Sequence, residues 1–265
     1  MSTKVGILGA GQMGEALILG LKGSEWKFSA STRSTESAKA QSKSLGIPVG
    51  TDNARVVQES DIVVLCVKPH QAEAVLSSVA SSFSSKQLLI SICAGVSNTD
   101  LASWSGGKAA IIRAMPNTPC LVHEGMTVFA PGPKAQKREL EAAVRIFSAL
   151  GKTAIVEESL MDGVTGLSGC GPAYIFLVIE ALSEAGVKVG LPRETATLLA
   201  AQTLLGSAKM VLERGVHPAA LKDEVTTPAG CTIDGLMALE EGKLRVTMIK
   251  AVLAATKRSQ KLSRK

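Results

Sequence analysis

The sequence predicts an α/β fold in two parts, a doubly wound parallel sheet over residues 1–158 followed by helices alone over 159–265. Three observations carry this prediction. Short apolar runs alternate with helical stretches through the first part. A glycine-rich turn joins the first run to the first helix. Near Leu160 the alternation stops, and long apolar helices take over.

Lys4–Leu8 (KVGIL) reads as the first strand, and Glu15–Leu21 as the first helix. Between them stands Gly9-Ala10-Gly11-Gln12-Met13-Gly14. A G-x-G-x-x-G pattern is weak alone and strong between a strand and a helix. Gly9 permits the tight turn, Gly11 lets a pyrophosphate approach the backbone, and Gly14 lets the helix pack on the strand. The helix start then presents free N–H groups and its positive dipole end to phosphate. This is the signature of a Rossmann-like dinucleotide-binding domain.

The second strand is Lys27–Ser31. The residue after such a strand meets the adenosine ribose, and a carboxylate there selects NAD. Here Ser31-Thr32-Arg33-Ser34-Thr35 offers a guanidinium and hydroxyls instead. The expectation is NADPH, with NADH as the second option. Helices follow at Glu36–Leu45 and Asn53–Glu59. Asp61–Val67 and Gln87–Cys93 read as buried strands, as parallel strands do. Lys68-Pro69-His70-Gln71 opens a further helix, where proline is favourable. Ala109–Ala114 leads into Met115–Pro119, and Gly125–Ala130 and Lys152–Glu157 bracket a helix at Lys134–Leu150. Ligands in such sheets sit beyond the carboxyl ends of the strands. That places Val67-Lys68-Pro69, Cys93-Ala94-Gly95 and Met115–Pro119 around the nicotinamide half. His70 and His123 are expected to be structural.

The second part reads as helices at Asp162–Ser168, Pro172–Lys188, Pro192–Arg214, Pro218–Glu224, Thr232–Glu240 and Leu244–Arg258. Pro192–Arg214 is apolar on most of its circumference, and Thr195–Ala208 carries no charge. A helix apolar all round must be buried. The helical part offers too little shell to hide these faces, which predicts that two chains share one helical core. The alternative is that the nucleotide domain covers the excess. The loop Val225–Thr232 (VTTPAGCT) then opens a helix with small and hydroxyl-bearing residues. Such a helix start suits an anionic carboxylate.

Composition narrows the partners. The chain has 265 residues and a net charge of +6, with 3% aromatics. So few aromatics argue against a base-stacking platform. Lys257, Arg258, Lys261, Arg264 and Lys265 crowd the C-terminus and leave the rest nearly neutral. That block is expected to be a solvated, frayed tail, with a polyanion contact as the alternative. Nucleic acid is not expected as a partner. Cys66, Cys93, Cys120, Cys170 and Cys231 form no metal-ligand spacing and no disulfide framework, so no metal site is expected. Gly9, Gly11, Gly14 and Glu15 interrupt any signal-peptide core. No uncharged stretch free of glycine and proline is long enough to span a bilayer. The expectation is a cytoplasmic protein that does not engage a membrane.

Five stretches, in order along essentially the full chain, resemble the pyrroline-5-carboxylate reductase family. They are Gly9–Gly14 (GAGQMG), Val67–Pro69 (VKP), Met115–Pro119 (MPNTP), Gly166–Tyr174 (GLSGCGPAY) and Leu221–Glu240 (LKDEVTTPAGCTIDGLMALE). Ala229 and Cys231 depart from the family pattern, where Gly and Ala are frequent. The resemblance implies reduction of L-1-pyrroline-5-carboxylate to L-proline by NAD(P)H, in dimers or rings such as a pentamer of dimers. It implies substrate at Thr227, Gly230, Cys231 and Thr232, with the Thr232 hydroxyl facing the ring nitrogen as the catalytic group. It adds Asn53, Lys68 and Ala94 to a cofactor set of Leu8, Gly9, Ala10, Gly11, Gln12, Met13, Thr32, Arg33, Val67 and Pro69. A second reading is another NADP-dependent imine reductase or a β-hydroxyacid dehydrogenase. Those use a helical Lys or Asp as acid, and Lys188 is the only helical Lys near a matching place. A third is a non-enzymatic NADPH sensor or membrane-surface protein working through the basic tail.

Overall fold

The computed structural model describes residues 3–23 and 25–263. In chain order the first part contains β1 (Lys4–Leu8), α1 (Gln12–Gly20), β2 (Lys27–Ser31), α2 (Thr35–Leu45), β3 (Val49–Gly50), α3 (Asn53–Gln58) and β4 (Ile62–Leu65). It continues with α4 (Ala72–Ser78), β5 (Leu88–Ser91), α5 (Asn98–Trp104), β6 (Ala110–Met115), β7 (Gly125–Pro131), α6 (Lys137–Ser148) and β8 (Gly151–Ile155). The helical part contains α7 (Met161–Val164), α8 (Gly171–Lys188), α9 (Arg193–Arg214), α10 (Pro218–Glu224), α11 (Cys231–Glu241) and α12 (Leu244–Ser263). A π-helical turn, Thr165–Gly169, sits between α7 and α8.

The eight strands lie in the order β3-β2-β1-β4-β5-β6-β7-β8. The chain winds outward from β1 in one direction and resumes at β4 in the other. The switch point therefore falls between β1 and β4, where such sheets bind ligands. Every pairing is parallel except β6 with β7. That exception follows from the connection. Residues 116–124 hold only a 3-10 turn at Thr118–Val122, and a parallel return needs a crossover of a dozen or more residues.

Side chains alternate between two buried layers, as strand geometry requires. Ile7, Val64, Ile90 and Ile112 face Leu17, Ile18, Ile146 and Phe147 on one side. Leu8, Val63, Leu65, Leu89 and Ile111 face Val57, Leu76 and Leu101 on the other. Each such side chain contributes about 1.5–3 kcal/mol when fully buried. Arg113 of β6 is buried and pairs with Glu158 at 2.8 Å. The same Glu158 oxygen accepts the Asn98 N–H at 2.7 Å, tying α5 to the end of the sheet domain.

Two elements go beyond the sequence reading. β3 has two residues, too few for any periodicity. α5 begins with a capping box, Ser97 accepting from the Asp100 N–H at 3.0 Å while Asp100 accepts from the Ser97 N–H at 3.3 Å.

By its internal contacts the chain divides into residues 1–170 with 254–265, and residues 171–253. Within the second unit α8 and α9 pack closely. A Cβ at Gly186 would come within 2.7 Å of the Ala196 Cβ, and the Ser183 and Thr197 hydroxyls share a hydrogen bond of 2.7 Å. Otherwise these helices are bare. Phe176 (63% exposed), Leu198 (67%) and Leu212 (69%) face outward, and α11 buries none of its residues. The expected burial of the apolar helices is therefore not met by the chain's own atoms. By length and composition alone, residues 158–188 and 193–214 form helices long and apolar enough to cross a membrane.

The expected frayed tail is helical instead. α12 carries Lys257, Arg258 and Lys261 in regular turns, and the buried Ser259 donates to Asp162 at 2.6 Å. That bond fixes the last turns of the helix. Arg264 and Lys265 lie outside the described residues.

Candidate active site

The carboxyl ends of β1, β2 and β4 enclose a crevice of about 540 Å³. Its walls include Gly9, Ala10, Gly11, Thr32, Arg33, Asn53 and Val67. The three glycines behave as a dinucleotide site requires. Gly9 has φ +92°, and a Cβ there would lie 2.8 Å from Val67 Cγ1. A Cβ at Gly14 would lie 3.0 Å from Ile7 Cγ2 and 3.1 Å from the Gly9 carbonyl oxygen, so glycine lets the helix sit close on the strand. A Cβ at Gly11 would meet nothing within 4 Å, which leaves room for a phosphate against the backbone. The residues present thus fit a dinucleotide. A larger concavity of about 1180 Å³ lies at the opposite ends of the strands, around Lys4, Trp26, Asp61 and Arg138. It holds charges of both signs and none of the predicted residues.

Hydrogen-bond accounting sorts the loop. The Gly9 and Ala10 N–H groups both donate to the Ser31 carbonyl at 3.0 Å, and Gly11 donates to Gly9 at 2.8 Å. Gln12 and Met13 open α1 with no i−4 carbonyl to reach, and Gly11 supplies no side-chain cap. Their N–H groups are the ones available to an anion. The Leu8 side chain is fully buried in the core, so Leu8 can reach the crevice only through its backbone. Its carbonyl accepts the Cys66 N–H at 2.8 Å and joins β1 to β4.

Just after β2 Arg33 is exposed, and among the described residues no carboxylate pairs with it. The neighbouring hydroxyls are fewer than the sequence suggests. Ser31 is buried, and Ser34 caps α2 by accepting from the Ser37 N–H at 3.2 Å. Thr32 lines the crevice, with its N–H held by the Gly50 carbonyl at 2.9 Å. Lys68, Pro69 and Ala94 fall outside the crevice lining. Lys68 and Pro69 are exposed at the start of a 3-10 turn, and Ala94 packs beside Met115 and Met161. Gln41, Cys66, Gln71 and Val75 also line the crevice and were not singled out by sequence.

The Met115–Pro119 segment is latched by Asn117. Its Oδ1 accepts the Met126 N–H at 2.8 Å, and its Nδ2 donates to the Ser168 carbonyl at 3.3 Å. One amide thus joins the loop after β6, the start of β7 and the π-turn. Such turns concentrate at functional sites.

In the second unit the Val225–Thr232 loop is built around a tight turn. The Gly230 N–H donates to the Thr227 carbonyl at 3.0 Å. Pro228 takes the first central position, and Ala229 takes the second with φ +57°. A Cβ at Gly230 would lie 2.5 Å from the Thr227 hydroxyl, so only glycine admits this packing. Because the turn uses the Gly230 N–H, that group is not offered to a ligand. The N–H groups of Cys231 and Thr232 open α11, and Gly230 provides no side-chain cap. Cys231 is exposed and Thr232 half-buried. On the other side of the loop, α10 is clamped to the end of α9. Arg214 donates to both Glu224 oxygens, at 2.6 and 2.9 Å, and holds that carboxyl below the usual range.

Residues 158–262 match the family model described as pyrroline-5-carboxylate reductase dimerisation. Residues 4–95 match NADP oxidoreductase coenzyme F420-dependent. Across 99% of this chain and 98% of its own, a pyrroline-5-carboxylate reductase of Methanosarcina acetivorans is 47% identical. The solved pyrroline-5-carboxylate reductase of Coxiella burnetii superposes with a TM-score of 0.91, at 35% identity and 99% coverage of both chains. The chain belongs to the pyrroline-5-carboxylate reductase family. The related Plasmodium falciparum pyrroline carboxylate reductase, solved with NADP bound, covers 98% of each chain at 35% identity and a TM-score of 0.87.

As a member of the pyrroline-5-carboxylate reductase family the chain is an oxidoreductase acting on a C=N bond. Burial pushes the Cys66 thiol far up and the Cys93 thiol up to about 11, so both stay protonated at neutral pH. The His123 ring bonds the Ala149 carbonyl at 3.0 Å, and His70 is exposed in its 3-10 turn. Among the described residues no cluster of His, Cys, Asp or Glu could hold a metal ion.

Proposed function

We propose that this chain reduces L-1-pyrroline-5-carboxylate to L-proline with NADPH, holding the imine on the Thr227–Thr232 loop. The observation that carries the reading is the uncapped start of α11, preceded by a turn whose Gly230 closes under the Thr227 hydroxyl. The substrate carboxylate accepts from the Cys231 and Thr232 N–H groups and from the Thr227 hydroxyl, where the helix dipole adds to the attraction. Gly230 serves as the hinge that aims these donors. The Thr232 hydroxyl oxygen accepts from the N–H of the protonated ring nitrogen and orients the imine. Near neutral pH the imine is already protonated and electrophilic, so Thr232 needs no general-acid role. NADPH, when bound, supplies hydride to the ring carbon of the C=N bond. The chain contributes mainly by positioning.

Gly9–Met13, Thr32, Arg33, Asn53 and Val67 form the nucleotide side, with Gln12 and Met13 as the phosphate donors and Arg33 at the 2′-phosphate. Leu8, Lys68, Pro69 and Ala94 frame it from the strand ends. The functional division is 1–158 for the nucleotide and 159–265 for self-association and substrate, supported by a dimerisation match that begins at residue 158. The exposed apolar faces of α8 and α9 support a dimer, with a pentamer of dimers as the larger assembly. A face covered by a second copy also accounts for helices that are apolar enough for a membrane. Free cysteines fit a cytoplasmic setting.

A series at position 232 tests the assignment. A hydrogen bond to a charged group contributes roughly 1.5–3 kcal/mol, about 10- to 150-fold in rate. Thr232→Ala should lower kcat and kcat/KM alike by that factor at saturating NADPH. Thr232→Val should match it, and Thr232→Ser should recover most activity. Unmodified rates in both Ala and Val variants, at unchanged melting temperature, would remove Thr232 from the mechanism.

A further inference from the structure

Resting on the nucleotide reading of the β1–β2–β4 crevice, we infer that Gln41 is a positioning residue that fixes the Gly-rich loop for both forms of the cofactor. Gln41 lies in α2, the helix that begins just after Arg33, and it lines the crevice wall. Its Nε2 donates to the Ala10 carbonyl and, at 3.2 Å, to Glu15 Oε1. The Ala10 N–H is already held by the Ser31 carbonyl at 3.0 Å. Ala10 is therefore gripped from both sides, by the end of β2 and by α2.

That grip sets the plane of the Ala10–Gly11 peptide. Gly11 is the N-cap of α1, and the next two N–H groups, of Gln12 and Met13, are the phosphate donors. Rotation of this peptide would re-aim both. The amide orientation is fixed by its surroundings. Turned the other way, its oxygen would face the Ala10 carbonyl and the Glu15 carboxylate, and acceptors do not pair. The amide keeps Nε2 on them even though Gln41 Oε1 is then buried with no donor among the described residues. A buried acceptor without a partner is costly. It is retained here because the same amide supplies the donor that the loop needs.

Gln41 thus differs in kind from Arg33. Arg33 stands where NADPH and NADH differ, whereas Gln41 acts on the pyrophosphate that they share. Calorimetric titration of the full-length protein with NADP⁺ and with NAD⁺ separates the two roles. Gln41→Leu should raise both dissociation constants by a common factor of about 5–20, the loss of one hydrogen bond to a loop carbonyl. In steady state the change should fall on KM for both cofactors more than on kcat. Gln41→Glu keeps the shape and replaces the donor with an acceptor, so its loss should equal or exceed that of Leu. Gln41→Lys restores a donor for Ala10 and Glu15, and should bind within about threefold of the unmodified protein or tighter. Unchanged dissociation constants in Leu and Glu variants would overturn the inference, as would a shift in the NADP⁺ to NAD⁺ ratio with Leu. If the unmodified protein bound neither nucleotide, the nucleotide reading would fall and this inference with it.

Discussion

The sheet unit and the helical unit bury their apolar residues differently. In the sheet unit Ile7, Leu17, Leu65, Leu89 and Phe147 are fully enclosed by the chain's own layers. In the helical unit Phe176, Leu177, Leu198 and Leu212 are more than half exposed. Composition alone does not explain the contrast, since both units are rich in aliphatic residues. Parallel strands are covered on two faces by helices from the same chain. A few helices without a sheet have no such cover, and α8 and α9 bury only Ser183, Ala196 and Ala200. The sheet unit is complete in one chain, and the helical unit is one side of an interface.

The largest effect should come from breaking that interface. Leu205 in α9 is 45% exposed in the single chain. If a second copy covers it, Leu205→Lys places an unpaired ammonium in an apolar contact, at a cost of about 3 kcal/mol or more. The association constant should fall by more than about 100-fold, read by light scattering against concentration. An unmodified protein that is an active monomer would break the comparison at its root.

On the sheet side a change should leave association intact and alter only cofactor choice. Arg33→Asp exchanges a cation for a carboxylate at the proposed 2′-phosphate position. The ratio of kcat/KM for NADPH over NADH should fall by about 10- to 150-fold, the worth of a charged hydrogen bond. An unchanged ratio would show that Arg33 does not meet the adenosine end.

The smallest effect belongs to the Val225–Thr232 loop. Ala229 holds a left-handed backbone at φ +57°, which costs a residue bearing a Cβ about 1 kcal/mol. Ala229→Gly removes that cost, and the greater freedom of glycine in the unfolded chain offsets roughly half of it. A rise in Tm of about 1–2 °C should follow. Ala238→Gly, inside α11, should lower Tm instead, because glycine in a helix interior costs about 1 kcal/mol. Equal shifts of one sign would contradict the loop geometry.

Legibility in the sequence followed the range of the interactions. β1 and β2 keep the bounds the sequence predicts, because glycine or a polar loop follows each at once. The G-x-G-x-x-G turn is local, so the role of each glycine was readable before any coordinates. The antiparallel β7 was less so, since its direction depends on how short the β6–β7 link is. Which donors remain free was readable only in part. The Gly230 N–H looked available from its place before a helix, yet the turn closing on Thr227 takes it. Ser34 looked like a phosphate ligand and is a helix cap. Gln41 reaches Ala10 across 31 positions, and no spacing rule connects a mid-helix glutamine to a glycine loop. The exposure of α8 and α9 was legible from their apolarity, which exceeds the shell one helical part can supply, and the chain's own atoms leave these faces open.

The proposed reaction is tested most directly by following absorbance of NADPH with purified protein while L-1-pyrroline-5-carboxylate is added, with proline measured at the end. The account predicts consumption of NADPH only when the imine is present, matched mole for mole by L-proline and slowed by Thr232→Ala. NADPH left unconsumed by a folded, nucleotide-binding protein would contradict it.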